Sequence, residues 1–344
     1  MKKREFRSDT MTLPGDAMRE AMRDAELGDD VVGEDPEVNR LEELSAELLG
    51  HEAALLIPSG TFGNQCAIWV HTNPGDEVIV AETAHVVDHE AGAAASLSGV
   101  QLRAIEPLRR SWITAGEIER RVRTIPDIHH PQTALIVLEN ALADGTVMPL
   151  EEMRLVRELA DEHDIKIHLD GARLFNAAVA LGAEPRQIAA PVDSAMFCLS
   201  KGLGAPVGSV LTGSREIVDA ARRRRKQMGG GMRQAGIIAA PGLIALTEGV
   251  ARLEDDHRNA RLLAERLAEL GGIEIDLDRV QTNMVFLRVA AHGKSEQGFV
   301  DHMNGAGFAV YPPQWWGIRL AVSSRVDAAD CEAFARAAAE YLER

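Results

Sequence analysis

Residues 196–206 read MFCLSKGLGAP, a short apolar run followed by Lys201 and a glycine-rich turn. The apolar run predicts a buried strand, and Gly202 and Gly204 allow the backbone to turn sharply beside a bulky group. A lysine at the end of such a strand either reaches solvent or, when held near an anionic ligand, forms a Schiff base with a carbonyl group. The stretch by itself leaves both interpretations open.

Similar apolar runs alternate with helix-periodic segments over residues 36–245. PEVNRLEELSAELLG (36–50) has helical spacing and stops at a glycine, and GNQCAIWVHTN (63–73) returns to helix. Strands that alternate with helices predict right-handed crossovers and a mostly parallel sheet covered on both faces. We therefore expect an α/β fold with three layers. The strand-like runs are AALLIP (53–58), DEVIVAE (76–82), TALIVLEN (133–140), IKIHLDG (165–171) and SAMFCLS (194–200).

The pattern changes near residue 250, where long charged helices flank two shorter strand-like pieces. This is an α+β pattern. We expect residues 1–248 to form an N-terminal arm and a large domain, and residues 249–344 to form a small C-terminal α+β domain. The segments are GVARLEDDHRNARLLAERLAEL (249–270), TNMVFLRV (282–289), GIRLAVS (317–323) and AADCEAFARAAAEYLER (328–344).

The net charge is −16 over 344 residues, which argues against binding to nucleic acid or anionic lipid because phosphate contacts need clustered Lys and Arg. The basic run Arg222–Gln227 is interpreted as a solvated helix face or a subunit contact. Three dispersed cysteines favour free thiols in a reducing compartment. The first ten residues lack a signal-peptide core, and no apolar run has membrane-spanning length. We expect a cytoplasmic enzyme with no membrane or nucleic-acid partner.

Two further features follow predicted strands, at the sheet edge where ligands collect in α/β folds. In PSGTFGNQ (58–65), Gly60 and Thr61 open a helix whose first amides can hold an anion, although a plain tight turn is an equal interpretation. In HLDGARLF (168–175), Asp170 either caps the next helix or pairs with the cation of a cofactor.

His85 and His89 follow the strand-like run DEVIVAE, and their spacing of four suggests one helix face. A zinc site is disfavoured because Val86 stands where the metalloprotease motif has a glutamate, and we expect no metal. A histidine that stacks on a flat ring or acts as an acid–base group is the better functional interpretation, and a structural histidine is the alternative. Nucleotide-binding glycine motifs and a G-x-S-x-G elbow are absent from the sequence.

Pyridoxal phosphate accounts for these features together. Its aldehyde needs a lysine, its pyridinium a carboxylate, its phosphate a helix N-terminus and its ring a partner on one face. Lys201, Asp170 and His85 are of the required types, and the Gly60–Thr61 turn provides the anion cradle. The sequence therefore predicts an enzyme that depends on this cofactor.

Six long motifs follow one another in FRSDTMTLP (6–14), GDDVVGEDPEVNRLEE (28–43), PSGTFGNQ (58–65), HLDGARLFNAA (168–178), DSAMFCLSKGLGAPVGSVL (193–211) and GGGMRQAGIIAA (229–240). Along nearly its whole length the chain resembles the L-threonine aldolases, of the beta-eliminating lyase group. The resemblance implies the aspartate-aminotransferase fold, which is fold type I of the pyridoxal-phosphate enzymes. It also implies a homotetramer built as a dimer of dimers with shared active sites.

The resemblance implies roles for individual residues. Lys201 would bond the cofactor aldehyde, Asp170 would pair with the pyridine nitrogen, and His85 would stack on the ring. The substrate carboxylate would be bound by Ser8, Arg173 and Arg319, because a guanidinium fork suits a carboxylate. The phosphate would be held by Gly60, Thr61 and Ser200, with Arg173 and Arg233 as further cofactor contacts, Arg233 at the phosphate or across a subunit interface.

The implied reaction is cleavage of the Cα–Cβ bond of L-threonine, L-allo-threonine or a related β-hydroxy-α-amino acid to glycine and an aldehyde. Ala141 and Leu142 stand where the family usually has Thr-His, and Val32 where it often has Tyr. These changes make the hydroxyl side more apolar, and His89 could restore a polar group there. We expect a preference for a larger or more apolar β-substituent. A β-eliminating lyase, a racemase and a non-catalytic cofactor-binding scaffold are the alternatives.

Overall fold

The computed structural model describes residues 3–108, 111–123 and 127–343, so the outer ends of both predicted domains, residues 1, 2 and 344, lie outside the described residues. The strands are β1 Arg4–Glu5, β2 Ala53–Ile57, β3 Glu77–Ala81, β4 Gln101–Ile105, β5 Thr133–Glu139, β6 Lys166–Asp170, β7 Ser194–Cys198, β8 Ser209–Gly213, β9 Ile273–Glu274, β10 Met284–Val289, β11 Phe308–Ala309 and β12 Ile318–Ala321. The α-helices are α1 Asp16–Asp24, α2 Pro36–Leu49, α3 Gly60–His71, α4 His85–Asp88, α5 Ala115–Glu119, α6 Leu150–Glu162, α7 Leu174–Leu181, α8 Pro185–Ala189, α9 Arg215–Gln227, α10 Gly236–Ile244, α11 Leu253–Ala268, α12 Glu296–Gly305 and α13 Ala328–Glu343.

A seven-stranded sheet in the order β2-β8-β7-β6-β5-β3-β4 forms the centre of the large unit. All neighbouring pairs from β7 to β4 are parallel, whereas β8 runs antiparallel to both β2 and β7. The predicted α/β fold with a mostly parallel sheet is confirmed. The reversed strand β8 was not among the predicted strands, because its sequence SVLTG (209–213) has only two strongly apolar residues, between serine, threonine and glycine.

The predicted helix over residues 36–50 corresponds to α2, and local residues determine both of its ends. Asp35 caps α2 by accepting a hydrogen bond from the amide of Val38 at 3.2 Å, and Pro36 occupies the first helical position. Gly50 ends the helix with a φ of 69°, a left-handed conformation that suits glycine. Asp35 and Pro36 therefore determine where the helix begins, and Gly50 determines where it ends.

A second hydrophobic core lies in the C-terminal third of the chain, where β9, β10 and β12 form a three-stranded antiparallel sheet. The N-terminal arm joins this core, because β1 pairs in parallel with β11 and the ring of Phe6 lies 4.7 Å from that of Phe334. The arm is therefore held by its own chain. The exact boundary between the two predicted domains stays a prediction.

The basic run Arg222–Gln227 ends helix α9, and the prediction that it forms a solvated face or a subunit contact is wrong in part. Arg225 is buried, donates to the carbonyl of Leu56 at 2.7 Å and pairs with Asp30 at 2.7 Å. Arg222 pairs with Glu42 at 2.7 Å. These contacts need partners from distant parts of the chain, which a local charge pattern does not reveal.

Within the described residues, no single helix is both long and apolar enough to cross a bilayer. The segments Gly236–Gly249 and Leu253–Ala268 reach that length only when taken together, and they meet at an angle of 64°.

Candidate active site

The carboxyl ends of β6 and β7 place Asp170 and Lys201 at one edge of the sheet. Asp170 is the last residue of β6, and the amide of Gly171 donates to the carbonyl of Met196 on β7 at 2.8 Å. Lys201 begins the turn after β7, where its carbonyl accepts hydrogen bonds from the Gly204 amide at 2.9 Å and from Thr12 Oγ1 at 2.8 Å. The arm residue Thr12 thus holds the backbone of the lysine turn.

Asp170 is buried, and neutral groups donate to both of its oxygens. Asn64 Nδ2 donates to Oδ2 at 2.6 Å, and the Ala172 amide donates to Oδ1 at 3.0 Å. Glu139 stands opposite Asp170 in the register of β5 and β6. Burial, and then the neighbouring Asp170 charge, raises the pKa of Glu139 to about 7. Two acids therefore share a site that favours an added positive charge.

His85 begins helix α4 at this edge, and its amide donates to Glu139 Oε2 at 3.2 Å. Its Nδ1 lies 2.7 Å from Oε1 of the buried Glu90. The hydrogen bond to Glu90 raises the pKa of His85, against the opposing effect of burial. His89 is exposed, and its ring centre is 5.4 Å from that of His85. The predicted pair of histidines therefore lies together, with Nδ1 of His85 engaged.

Helix α3 begins beside the same strand ends. The side chain of Ser59 caps it by accepting from the Phe62 amide at 3.2 Å, so Gly60 and Thr61 lie in the first turn. A Cβ atom on Gly60 would lie 2.9 Å from Cys198 Sγ, so glycine is what allows this close approach to β7. The first amides of a helix lack acceptors within it, which suits an anion. The predicted cradle therefore lies near the end of β7, which Ser200 and Lys201 follow.

The predicted carboxylate-binding residues share Asp9 as a neighbour: Ser8 and Arg173 contact it, and the charges of Arg173 and Asp9 act on Arg319. The Nε and Nη2 atoms of Arg173 donate to Asp9 Oδ2 and Oδ1 at 2.7 and 2.8 Å, so this edge of its guanidinium is occupied. Among the described residues no acceptor pairs with Nη1, which is left for a ligand. Arg319 on β12 is half-buried, and within the described parts of the chain no hydrogen bond or ion pair reaches its guanidinium. Burial, then the Arg173 charge, lowers the pKa of Arg319. Ser8 accepts hydrogen bonds from the amide and hydroxyl of Thr10 at 3.2 and 2.9 Å.

Two of the predicted residues lie elsewhere in the single chain. Arg233 is exposed and pairs with Asp29 at 2.7 Å, and the exposed Val32 belongs to the same segment as Asp29. Leu142 is buried, and its amide donates to the carbonyl of Thr146 at 3.0 Å. It stands two residues after Asn140, whose amide donates to the carbonyl of Asp170 at 3.0 Å. Leu142 therefore belongs to the sheet edge, whereas Arg233 and Val32 face outward.

Sequence reasoning missed Asp9, Asn64, Glu90 and Glu139. Asn64 and Glu90 are polar residues in otherwise apolar or irregular segments, and a buried polar residue is the informative exception in such a pattern. Glu139 ends a strand next to Asp170, which the alignment of parallel strand ends could have indicated.

Comparison with known proteins decides the family. The model of the beta-eliminating lyase family matches residues 5–291, most of the chain. The chain belongs to the beta-eliminating lyase family. Within it, the chain groups with the L-threonine aldolases. A probable low-specificity L-threonine aldolase 2 of Arabidopsis thaliana is 42% identical over 333 residues, covering 95% of this chain and 94% of that protein.

A low specificity L-threonine aldolase of Escherichia coli strain K12 is 45% identical over 294 residues, covering 86% of this chain and 87% of that protein. A threonine aldolase structure from Leishmania major superimposes with a TM-score of 0.84 at 21% identity, covering 98% of this chain and 99% of that one. The structural likeness confirms the fold type I architecture expected for a beta-eliminating lyase.

Proposed function

We propose that this chain is a pyridoxal-phosphate-dependent aldolase that cleaves L-threonine, L-allo-threonine or a related β-hydroxy-α-amino acid to glycine and an aldehyde. The observation that carries the proposal is the meeting of Asp170, Lys201 and His85 at the carboxyl ends of three parallel strands, β6, β7 and β3. The similarity to L-threonine aldolases supports the choice of reaction.

The donor set fits the cofactor. The nearest ligand atoms of His85, Glu90 and Asp170 lie within 4.8 Å of one another, and no Lys or Arg of the described residues forms an ion pair with Asp170. A buried carboxylate with neutral donors is suited to a cationic partner, and a protonated pyridine nitrogen would be that partner. Lys201 stands close enough to influence the ionisation of Asp9, Glu139 and His85.

In this proposal Asp170 would hold the ring nitrogen, His85 would cover one ring face and Lys201 would be the lysine for the cofactor aldehyde. The first turn of α3 would hold the phosphate. When bound, pyridoxal phosphate supplies an electron sink for the electron pair left on Cα. The residues that would hold the phosphate are Gly60, Thr61 and Ser200.

The substrate carboxylate is placed between Arg319 and the remaining Nη1 edge of Arg173, with Ser8 beside them. These groups would fix the orientation of the substrate about its Cα atom. The β-hydroxyl loses its proton, the Cα–Cβ bond breaks, the oxygen becomes the carbonyl of the aldehyde, and Cα takes up a proton to give glycine. The imidazoles of His85 and His89 are the groups that we assign to the proton on oxygen.

We further propose that the pocket prefers a β-substituent larger or more apolar than the methyl group of threonine. The side chain of Leu142 supplies no hydrogen-bonding group at the position where the family resemblance implies a histidine, and it is buried three residues after Glu139, the last residue of β5. An apolar side chain there favours contact with carbon over contact with a hydroxyl.

We also propose a homotetramer with active sites shared between subunits, in a cytoplasmic setting. The residues around the Arg233–Asp29 pair support a covering subunit, since Leu27, Val32 and Ile237 are exposed to 45%, 66% and 41%. Light scattering coupled to size exclusion measures the assembly, and a monomer at micromolar concentration would contradict it.

The deciding experiment incubates the cofactor-loaded enzyme with threo and erythro β-hydroxy amino acids and identifies every product. Glycine with an aldehyde supports the aldolase. Pyruvate or another keto acid with ammonia would mean β-elimination, and inverted substrate alone would mean racemisation. Lys201→Ala should abolish glycine release and the visible absorbance of the bound cofactor.

A further inference from the structure

A chain of buried hydrogen bonds joins the two side chains proposed to contact the cofactor ring. Asn64 on α3 is 1% exposed, and its Nδ2 donates both to Asp170 Oδ2 at 2.6 Å and to Glu90 Oε1 at 2.8 Å. Glu90 Oε1 is also 2.7 Å from Nδ1 of His85. The Asn64 amide therefore connects Asp170, proposed to bind the ring nitrogen, with His85, proposed to stack on the ring, through Glu90.

A second set of hydrogen-bonded side chains, His168, Ser194 and His71, fixes the orientation of the Asn64 amide. His168 Nε2 lies 3.2 Å from Asn64 Oδ1, and His168 Nδ1 lies 2.9 Å from Ser194 Oγ. Ser194 Oγ is also 2.8 Å from His71 Nε2. Burial lowers the pKa of His168 to about 3 and that of His71 to about 4, so both rings are neutral near pH 7.

A single pattern of protons satisfies this set. Because Asn64 faces two carboxylates, its Nδ2 must donate to them and its Oδ1 must accept from His168 Nε2–H. His168 Nδ1 then accepts from the Ser194 hydroxyl, whose oxygen accepts from His71 Nε2–H. If the amide were flipped, Oδ1 of Asn64 would face the two carboxylates, and its Nδ2 would face the N–H group of His168. Both contacts are repulsive, so the hydrogen bonds hold Asn64 in one orientation.

We propose that Asn64 is a positioning residue: its amide orients the carboxylate of Asp170 towards the ring nitrogen and anchors His85, through Glu90, over the ring face. The inference rests on the proposed function, because it concerns the groups that would hold pyridoxal phosphate. Donated hydrogen bonds stabilise a carboxylate relative to its protonated form. Without the Asn64 bond, the carboxylate of Asp170 loses the donor that fixes its Oδ2 and would pair less well with a protonated ring nitrogen.

The neighbouring residue offers a matched control. Gln65 Nε2 donates to the other oxygen of Glu90, Oε2, at 2.6 Å, and Asp170 is not among its hydrogen-bond partners. Gln65→Leu therefore removes one buried donor from Glu90, whereas Asn64→Leu removes a donor from both Glu90 and Asp170. A difference between the variants reports the contact with Asp170.

The experiment loads wild type, Asn64→Leu and Gln65→Leu with pyridoxal phosphate labelled at the ring nitrogen. The nitrogen chemical shift measures its protonation, and titration of the apo proteins measures the dissociation constant. We expect a protonated nitrogen in wild type and Gln65→Leu. In Asn64→Leu we expect a shift towards neutral pyridine and a dissociation constant about tenfold higher or more, as for a lost charge-assisted hydrogen bond.

Four results would contradict the inference. A wild-type protein that binds no pyridoxal phosphate overturns the proposed function and this inference with it. Equal nitrogen shifts in wild type and Asn64→Leu, or equal changes in both variants, overturn the inference alone. If Asn64→Leu does not fold, Asn64→Ser takes its place, since its hydroxyl is too short to span Asp170 and Glu90. A wild-type shift in Asn64→Ser overturns the inference as well.

Discussion

The carboxylate of Asp9 accepts two hydrogen bonds from one edge of the Arg173 guanidinium, Nε to Oδ2 at 2.7 Å and Nη2 to Oδ1 at 2.8 Å. The pair joins the N-terminal arm to the turn after β6, and Asn283 Nδ2 lies 3.4 Å from Asp9 Oδ2. One buried acid thus fixes an arginine that faces the proposed substrate and also fastens the arm to both parts of the chain.

This pairing predicts a pH-dependent contribution to stability. Burial alone would raise the pKa of Asp9, but the charge and hydrogen bonds of Arg173 outweigh it and lower the pKa to about 2. A carboxyl with a lowered folded-state pKa stabilises the fold above its unfolded pKa, and this contribution is lost as the pH falls through the folded value. The full contribution is about 2 kcal/mol.

The measurement is the free energy of unfolding of wild type and Asp9→Asn in denaturant. The difference between the two should shrink by about 1 kcal/mol from about pH 6 to about pH 3, since Asp9→Asn has no carboxyl to protonate. Asp24→Asn is the control, because Asp24 forms an exposed pair with Arg23. A difference that stays constant with pH would contradict the lowered pKa.

Glu90→Gln should lower the pKa of His85. The hydrogen bond from Glu90 is the largest cause of the raised value, while burial acts in the opposite direction. Nuclear magnetic resonance of labelled histidine in the apo protein reports the titration directly, with the exposed Glu82→Gln as control. A group whose pKa is raised in the folded state stabilises the fold at low pH, and this stabilisation is lost as the pH rises through the folded-state pKa. The free energy of unfolding of wild type should therefore fall more than that of Glu90→Gln between acidic and alkaline pH.

The sequence and the structure agree where local chemistry decides the outcome. Asp170 and Lys201 were predicted because one ends an apolar strand and the other follows one, and α2 was predicted from its helical spacing and the glycine at its end. Asn64 was not predicted, since its partners are 26 and 106 residues away.

Arg225 shows the same limit. Its run of arginines is typical of an exposed helix face, yet its side chain lies beneath β2 and contacts Leu56 and Asp30. Contacts between distant segments depend on how the helices pack against the sheet. The hydrophobic periodicity of a single segment does not predict that packing.

Gly60→Ala should weaken binding of pyridoxal phosphate while leaving the fold intact. The new Cβ would lie 2.9 Å from Cys198 Sγ and 3.3 Å from Met196 Cε, so the start of α3 must move away from β7. Gly116→Ala is the matched control, because it also lies in the first turn of a helix, α5, and its Cβ would have no neighbour within 4 Å. Titration of both apo proteins with the cofactor makes the comparison, and equal dissociation constants would count against a phosphate at α3.

Leu142→His should shift substrate preference towards threonine. In the proposed pocket the new imidazole offers a hydrogen bond to the β-hydroxyl, and one net hydrogen bond of about 1 kcal/mol corresponds to about a fivefold gain. The ratio of kcat/KM for threonine to that for a β-phenyl analogue is the quantity to measure, because it does not depend on the fraction of active enzyme. Leu142→Met is the control for packing, since it keeps an apolar side chain of similar volume at a buried position. If the ratio moves equally in both variants, or in neither, then Leu142 does not set the preference and the buried side chain acts through packing alone.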